Sequence, residues 1–315
     1  MSTNAAESQL RLVSTSSVDR NPSNPRLLFR QEEMDSLLDS INEYGIQVPV
    51  SVYRSGRRYI LIDGERRWRC AQKLNLKQIP ALIQDEPSAL GNILLMFNIH
   101  ALREQWDLLT IALKLRDIMQ LIEEEGESYP TESELSKRTG LTRGVIRRCR
   151  YLLNLPNKYH EQILKELEKP KNKQKLTEDF FIEMERALRT VEIRMPEVIP
   201  NKNKVRDILI TKFRNEIIQN RVHFRKVAMI ARAENVEADP QHAVSALESL
   251  FARNSVSIDE AFERSVAAAY EDRDVATRID SLVEQLKRYL PDDLDDELII
   301  HVQELRREIN RLLKG

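Results

Sequence analysis

The sequence predicts an α+β N-terminal domain followed by mostly α-helical domains. Three observations carry that class. Strand-like alternation and short apolar runs are confined to the first hundred residues, and apolar residues recur every three or four positions beyond them. Turn formers are few, with 8 Gly and 12 Pro in 315 residues and 6% aromatics, which disfavours a many-turned β-sandwich. The length exceeds one domain of roughly 100–200 residues. With 41% hydrophobic and 31% charged residues there is apolar mass for more than one core.

The elements follow in order. Residues 1–20 are rich in Ser, Thr and Asn and are expected to be a flexible arm without a core, save one short strand over Leu10 to Val13. In residues 21–100, Met34, Leu37, Leu38 and Ile41 take helical spacing and Gly45 stands where a left-handed cap belongs. Val48, Val50 and Val52 alternate, Ser55 and Gly56 supply a turn, and Tyr59 to Ile62 is a second strand. A helix from Glu65 to Leu74 and a buried strand from Ile79 to Ile83 complete the unit.

Residues 101–160 open with a long helix whose apolar face is Leu108, Ile111, Leu115, Ile118 and Ile122. Thr131 and Glu134 form a capping-box pattern, Gly140 breaks the short helix they start, and Thr142 caps the next, Arg143 to Leu153. Residues 161–176 carry lysines at 165, 169, 171, 173 and 175 beside Pro170 and are expected to be a solvated basic linker. Residues 177–271 form a helical block with no catalytic constellation. Residues 272–315 show two apolar stripes separated at Pro291, a helical hairpin that offers a dimer seam.

Several functions are disfavoured at this point. No apolar run approaches the ~20 residues that span a bilayer, so a cytoplasmic, nucleoid- or plasmid-associated protein without membrane contact is expected. Two cysteines, Cys70 and Cys149, do not make a disulfide framework, and five scattered histidines lack metal-ligand spacing. The net charge of −1 means that any nucleic-acid contact must come from local clustering.

Two clusters stand out. Gly64 to Arg69, GERRWR, follows a strand and opens a helix, where glycine lets backbone approach a ligand and arginine forks add phosphate donors. The competing reading is a salt-bridged helix face. The second cluster is the helix pair around Gly140. Ser136 is small four residues before the turn glycine and Ile146 is aliphatic six after it, the pattern of a helix-turn-helix. Thr142, Arg143, Gly144, Arg147, Arg148 and Tyr151 then face outward. From Thr131 to Leu155 there are six basic residues (Lys137, Arg138, Arg143, Arg147, Arg148 and Arg150) against Glu132 and Glu134, a surface suited to phosphates and guanine edges.

NPRLLF (Asn24 to Phe29), GIQVPVSV (Gly45 to Val52), IDGERRWRC (Ile62 to Cys70) and IPALI (Ile79 to Ile83) together resemble the N-terminal domain of the ParB partition-protein family. LSKRTGLTRGVIRRCRYLLNLP (Leu135 to Pro156) resembles the same family's DNA-binding domain. The resemblance covers residues 21–156 and implies a sulfiredoxin-like nucleotide-binding fold, binding to double-stranded DNA at a palindromic site, a homodimer, a ParA-type ATPase partner, and CTP with Mg closing a DNA clamp. It places Gly64, Glu65, Arg66, Arg67 and Asn98 at the nucleotide, Asn98 also near the metal-bound phosphate. The chain departs from the family where Phe97 replaces an acid, where His100 and Arg103 stand near altered places, and where Val48 replaces a glutamine; hydrolysis is thereby put in doubt. Two other readings stay open: a transcriptional or nucleoid regulator without a partition role, and a nucleotide-dependent kinase or nuclease on the same fold.

Overall fold

A computed structural model describes residues 9–22, 24, 31–100, 106–290 and 294–314. Most of NPRLLF, and Arg103 with Pro291, lie outside the described residues. The chain divides into two compact units, residues 1–186 and 187–315.

The first unit is built on a five-stranded sheet in the order β1-β5-β3-β4-β2. Its strands are β1 (Gln9–Ser14), β2 (Val18–Asp19), β3 (Val50–Ser55), β4 (Arg58–Asp63) and β5 (Gln78–Gln84). β3 and β4 form the expected hairpin, antiparallel with Val52 opposite Leu61, whereas β5 joins β3 in parallel across the intervening helix. Helices α1 (Gln31–Tyr44) and α2 (Glu65–Lys73) pack together around Met34, Ile41 and Cys70, and Gly45 ends α1 at φ 70°. Val13, Val18, Val50, Val52, Leu61, Ala71, Ile79 and Ala81 make the core between sheet and helix.

That core corrects the reading of residues 1–20 as an arm without a core. β1 pairs along its length with β5, and Val13 and Val18 are buried. Val13 is the one buried residue of β1, and the apolar Leu10 and Leu12, on the opposite face of the strand, are exposed. Alternation of one buried and several exposed positions on an edge strand gives too weak a period to be read locally.

Beyond the sheet lie α3 (Ala89–His100), α4 (Leu108–Glu124), α5 (Glu132–Thr139), α6 (Arg143–Leu153), α7 (Asn157–Leu167) and α8 (Glu178–Arg194). The expected linker at 161–176 is corrected as well: its first half is α7, with Ile163 and Leu167 buried, and Leu176 is buried after a short 3-10 turn. Its lysines decorate the outside of a packed segment, with Lys169 paired to Glu166. The lysine count outweighed two well-spaced apolar residues.

The second unit contains α9 (Lys202–Arg214), α10 (Phe224–Ile230), α11 (Pro240–Ala252), α12 (Ile258–Glu263), α13 (Ala267–Leu286) and α14 (Asp296–Leu313). The helical character of this block agrees with the sequence. Among the described residues of α13 and α14, which carry the two apolar stripes, none is buried. Lys212 is fully buried in this unit, its Nζ donating to the Leu250 and Val256 carbonyls. Burial pushes its ammonium down to about 8, and the neutral amine still has two N–H groups for those two carbonyls. Among the described residues no helix is long and apolar enough to cross a membrane.

Two stability predictions follow from these contacts. Between about 8 and the ordinary 10.5 the unfolded chain holds the Lys212 proton and the folded chain does not, so this residue makes stability rise with pH across that window. Lys212→Met loses that dependence and leaves two carbonyls unpartnered, so its deficit in urea unfolding should widen from pH 7.5 to 10; a constant deficit would contradict the assignment. At Gly64, which sits at φ 93°, an added Cβ would lie 2.8 Å from Val50 Cγ1. Left-handed strain and overpacking together should make Gly64→Ala cost roughly 2–4 kcal/mol, measured by the same unfolding experiment.

Candidate nucleic-acid interface and arginine turn

The helix pair α5 and α6 around Gly140 forms as its residues dictate. Thr131 accepts from the Glu134 amide while the Glu134 carboxylate accepts from the Thr131 amide, closing the capping box at the start of α5. Gly140 ends the helix at φ 72°, a conformation that costs other residues roughly 1–2 kcal/mol. Ser136 Oγ donates to the Leu141 carbonyl at 2.6 Å and Thr139 Oγ1 to the Leu135 carbonyl at 2.6 Å, so the turn is held by side chains on both flanks. Thr142 caps α6 by accepting from the Val145 amide.

Inside, Leu135, Ile146, Cys149 and Leu152 are fully buried, and α6 packs on α4. Burying each such side chain is worth about 1.5–3 kcal/mol, enough to fix the angle at which α6 is presented. Burial pushes the Cys149 thiol up to about 12, so it is a packing residue and not a nucleophile. Glu178, at the start of α8, accepts from the Leu109 amide at the start of α4, and its burial raises its carboxyl to about 6.

Outside, Thr142, Arg143, Gly144, Arg147 and Arg148 are exposed and Tyr151 is half-buried. The six residues singled out in the sequence therefore lie on one helix, five of them open to solvent. Sequence reasoning missed what the arginines touch. Arg147 Nε donates to Glu132 Oε2 at 3.0 Å, and Arg150 Nη1 to Glu132 Oε1 at 3.2 Å. Arg148 Nη2 meets Asp179 Oδ1 at 2.6 Å, and Arg143 donates to Ser133 Oγ at 3.0 Å. The Arg147 hydrogen bond, with the fields of Arg147, Arg150 and Arg143, holds the Glu132 carboxyl below the usual carboxylate range.

The arginine turn is also occupied by its own chain. Glu65, the first residue of α2, is buried and receives Arg69 Nε at 2.8 Å, Arg20 at 3.4 Å and Asn24. Arg67 donates to the Val48 and Pro49 carbonyls and to Asp63 at 3.0 Å, and Arg66 spans the Glu33 carboxylate and carbonyl. The glycine is explained by its backbone and by Val50 beneath it. A triphosphate fits this turn only if Arg66 and Arg67 exchange these acceptors for phosphate oxygens.

Phe97 is fully buried, edge-on to Trp106 with ring centroids 5.5 Å apart, so the aromatic at the family's acidic place belongs to the core. It offers no oxygen to magnesium. Asn98 lies in α3, and its side chain, like that of His100, is outside the described residues. Among the described residues no three His, Cys, Asp or Glu side chains converge as a metal site.

Residues 1–98 match the family model of the ParB N-terminal domain. A probable chromosome-partitioning protein ParB of Campylobacter jejuni is 32% identical over 158 residues, 50% of this chain and 54% of that protein. The chain spans about half the length of the curated relatives it matches. Among solved structures, a C-terminally truncated ParB of Caulobacter crescentus complexed to the centromeric parS site is 23% identical, covering 57% of this chain and 90% of that one with a TM-score of 0.40. The same protein complexed with CTP-gamma-S aligns at 25% identity over 53% of this chain and 90% of that one, TM-score 0.29. Residues 1–98 thus match a ParB N-terminal domain, and the similarity to curated ParB proteins extends over about half of the chain.

Proposed function

We propose that the chain is a sequence-specific DNA-binding protein of ParB type acting in chromosome or plasmid partition. The observation that carries this reading is the exposed row Thr142, Arg143, Gly144, Arg147 and Arg148, with Tyr151 beside it, on the second helix of a rigidly packed helix-turn-helix. α6 enters the major groove, where an arginine donates two parallel hydrogen bonds to a guanine edge, and the remaining cations meet phosphates. One such module supplies limited affinity, so a homodimer on a palindromic site is part of the proposal, assembled through the uncovered stripes of α13 and α14. A ParA-type ATPase is the proposed partner, on the resemblance to ParB partition proteins alone.

CTP is the proposed ligand of the turn at Gly64, Glu65, Arg66 and Arg67, again on the resemblance of residues 1–98 to the ParB N-terminal domain. When bound it would supply negative charge to hold the arginines in a second arrangement. Arg66 and Arg67 would grip the phosphates after leaving Glu33 and Asp63, and with Phe97 in the core the site lacks the carboxylate that magnesium-assisted hydrolysis calls for. We therefore propose binding without turnover.

Three measurements test these readings. On duplexes enriched by the chain from a random pool, Arg147→Ala should weaken binding by about 1–3 kcal/mol, and unchanged affinity removes Arg147 from the reading face. A Cβ at Gly144 would meet only Thr142 Oγ1, at 3.8 Å. Gly144→Ala should therefore gain about 0.5–1 kcal/mol of stability, because alanine favours the helix, while losing affinity where DNA approaches the bare backbone. A gain in both would place the DNA elsewhere. Titration with CTP, ATP, GTP and UTP should show CTP binding that disappears in Arg66→Ala without nucleotide release as diphosphate; retention in the variant contradicts the turn as the site.

A further inference from the structure

The arginines that would read DNA are already paired with carboxylates of their own domain. Glu132, on the first turn of α5, reaches across to α6 and takes both Arg147 and Arg150, one through each oxygen. Asp179, on α8, takes Arg148. The two acids come from different elements on either side of the reading helix and share no arginine. A carboxylate presents to a guanidinium the same pair of anionic oxygens as a phosphodiester, so each acid occupies the place a DNA phosphate would take.

From this geometry we infer that Glu132 and Asp179 are resident competitors of DNA phosphate and set the chain's discrimination between its site and other DNA. This inference rests on the reading of α6 as the DNA-contacting helix. Random duplex offers Arg147 and Arg148 only the exchange of one anion for another, a near-neutral trade. A matching site adds guanine edges, whose bidentate hydrogen bonds the carboxylates do not replace. The acids therefore subtract from indiscriminate backbone binding, which depends on cationic charge, more than from base reading. Glu132 and Asp179 act through the arginines and contact no base in this scheme.

The pairs are exposed on their arginine side, Arg147 at 62% and Arg148 at 47%, so each is a weak tie. An exposed pair worth up to ~1 kcal/mol corresponds to a factor of about five in an equilibrium constant. This places the competitor in the range where DNA displaces it readily.

The test is fluorescence anisotropy of a labelled random-sequence 24-base-pair duplex with the full chain between 50 and 300 mM NaCl. Glu132→Gln and Asp179→Asn should each tighten binding about three- to fivefold at the low-salt end. Each should also steepen the slope of log K against log salt by about one for every arginine released. The double variant should approach the product of the two factors, since the acids have no common partner. Glu284→Gln, which breaks the exposed pair with Lys287 on α13, controls for the change in net charge and should leave binding unmoved. Thermal unfolding of each variant separates loss of the α5 start from an effect on DNA.

Unchanged or weaker binding in Glu132→Gln and Asp179→Asn, with Arg147→Ala still impaired, overturns the competitor role while leaving the DNA reading in place. A tightening shared by Glu284→Gln overturns it too, because net charge then suffices. If Arg147→Ala and Arg148→Ala bind the duplex as the wild type does, α6 is not the DNA face and both readings fail together.

Discussion

A guanidinium whose donors already face a carboxylate must share or release that partner to take a phosphate, and both clusters of arginine in this chain start from that position. At the turn after β4, Arg66, Arg67 and Arg69 are divided among the carboxylates of Glu33, Asp63 and Glu65 and the backbone carbonyls of Glu33, Val48 and Pro49. On α6, Arg147, Arg148 and Arg150 are divided between Glu132 and Asp179. The same interactions that close the free protein thus stand where a phosphate ligand would have to enter. The two sites differ in depth. Glu65 is buried and collects ligands from Arg20, Asn24 and Arg69, so moving it would unpick the segment before α1 from the start of α2. Glu132 lies at an exposed helix start, and releasing its arginines disturbs nothing beneath them.

This contrast assigns different consequences to the two exchanges. At α6 the core residues Ile146, Cys149 and Leu152 are fully buried apart from the exposed arginine pairs, so in the proposed reading the helix is already formed when DNA arrives. At the Gly64 turn, an arriving triphosphate must draw Arg66 from the end of α1's first turn and Arg67 from the strand connection at Val48 and Pro49. Ligand binding there would alter contacts on two neighbouring elements, which is the kind of differential interaction that couples a small ligand to a change of conformation.

How much of this was legible depended on whether the deciding contact was local. Gly45 and Gly140 end helices in the left-handed conformation, and the Thr131–Glu134 box opens α5, because each is fixed within three or four residues. The outward set on α6 followed from one helical period anchored by Ser136 and Ile146. The strand over Leu10 to Val13 is legible, but its place in the core is not, because its pairing partner, β5, lies some seventy residues away and its burial rests on Val13 alone. α7 was lost because composition was weighed over spacing, although Ile163 and Leu167 are four apart and buried. Nothing in the sequence tied Arg147 to Glu132 or Arg148 to Asp179, since those pairs exist only after α5, α6 and α8 are packed.

Phe97 shows the same logic from the other side. Read against the family pattern it is an absence, an acid missing where metal-bound phosphate would be met. In the fold it is a contribution, a buried ring edge-on to Trp106 at the passage from α3 toward α4. Returning a carboxylate to that position would bury a charge against an indole, at a cost of several kcal/mol unless a partner came with it. Core packing and metal-assisted hydrolysis therefore exclude each other at this residue, and the chain has taken the packing. The helix proposed to read DNA, α6, bears no such conflict, because its exposed arginines lie opposite the core residues that position it. The arginines of the Gly64 turn and those of α6 are held by separate contacts, so a change at one cluster leaves the partners of the other in place.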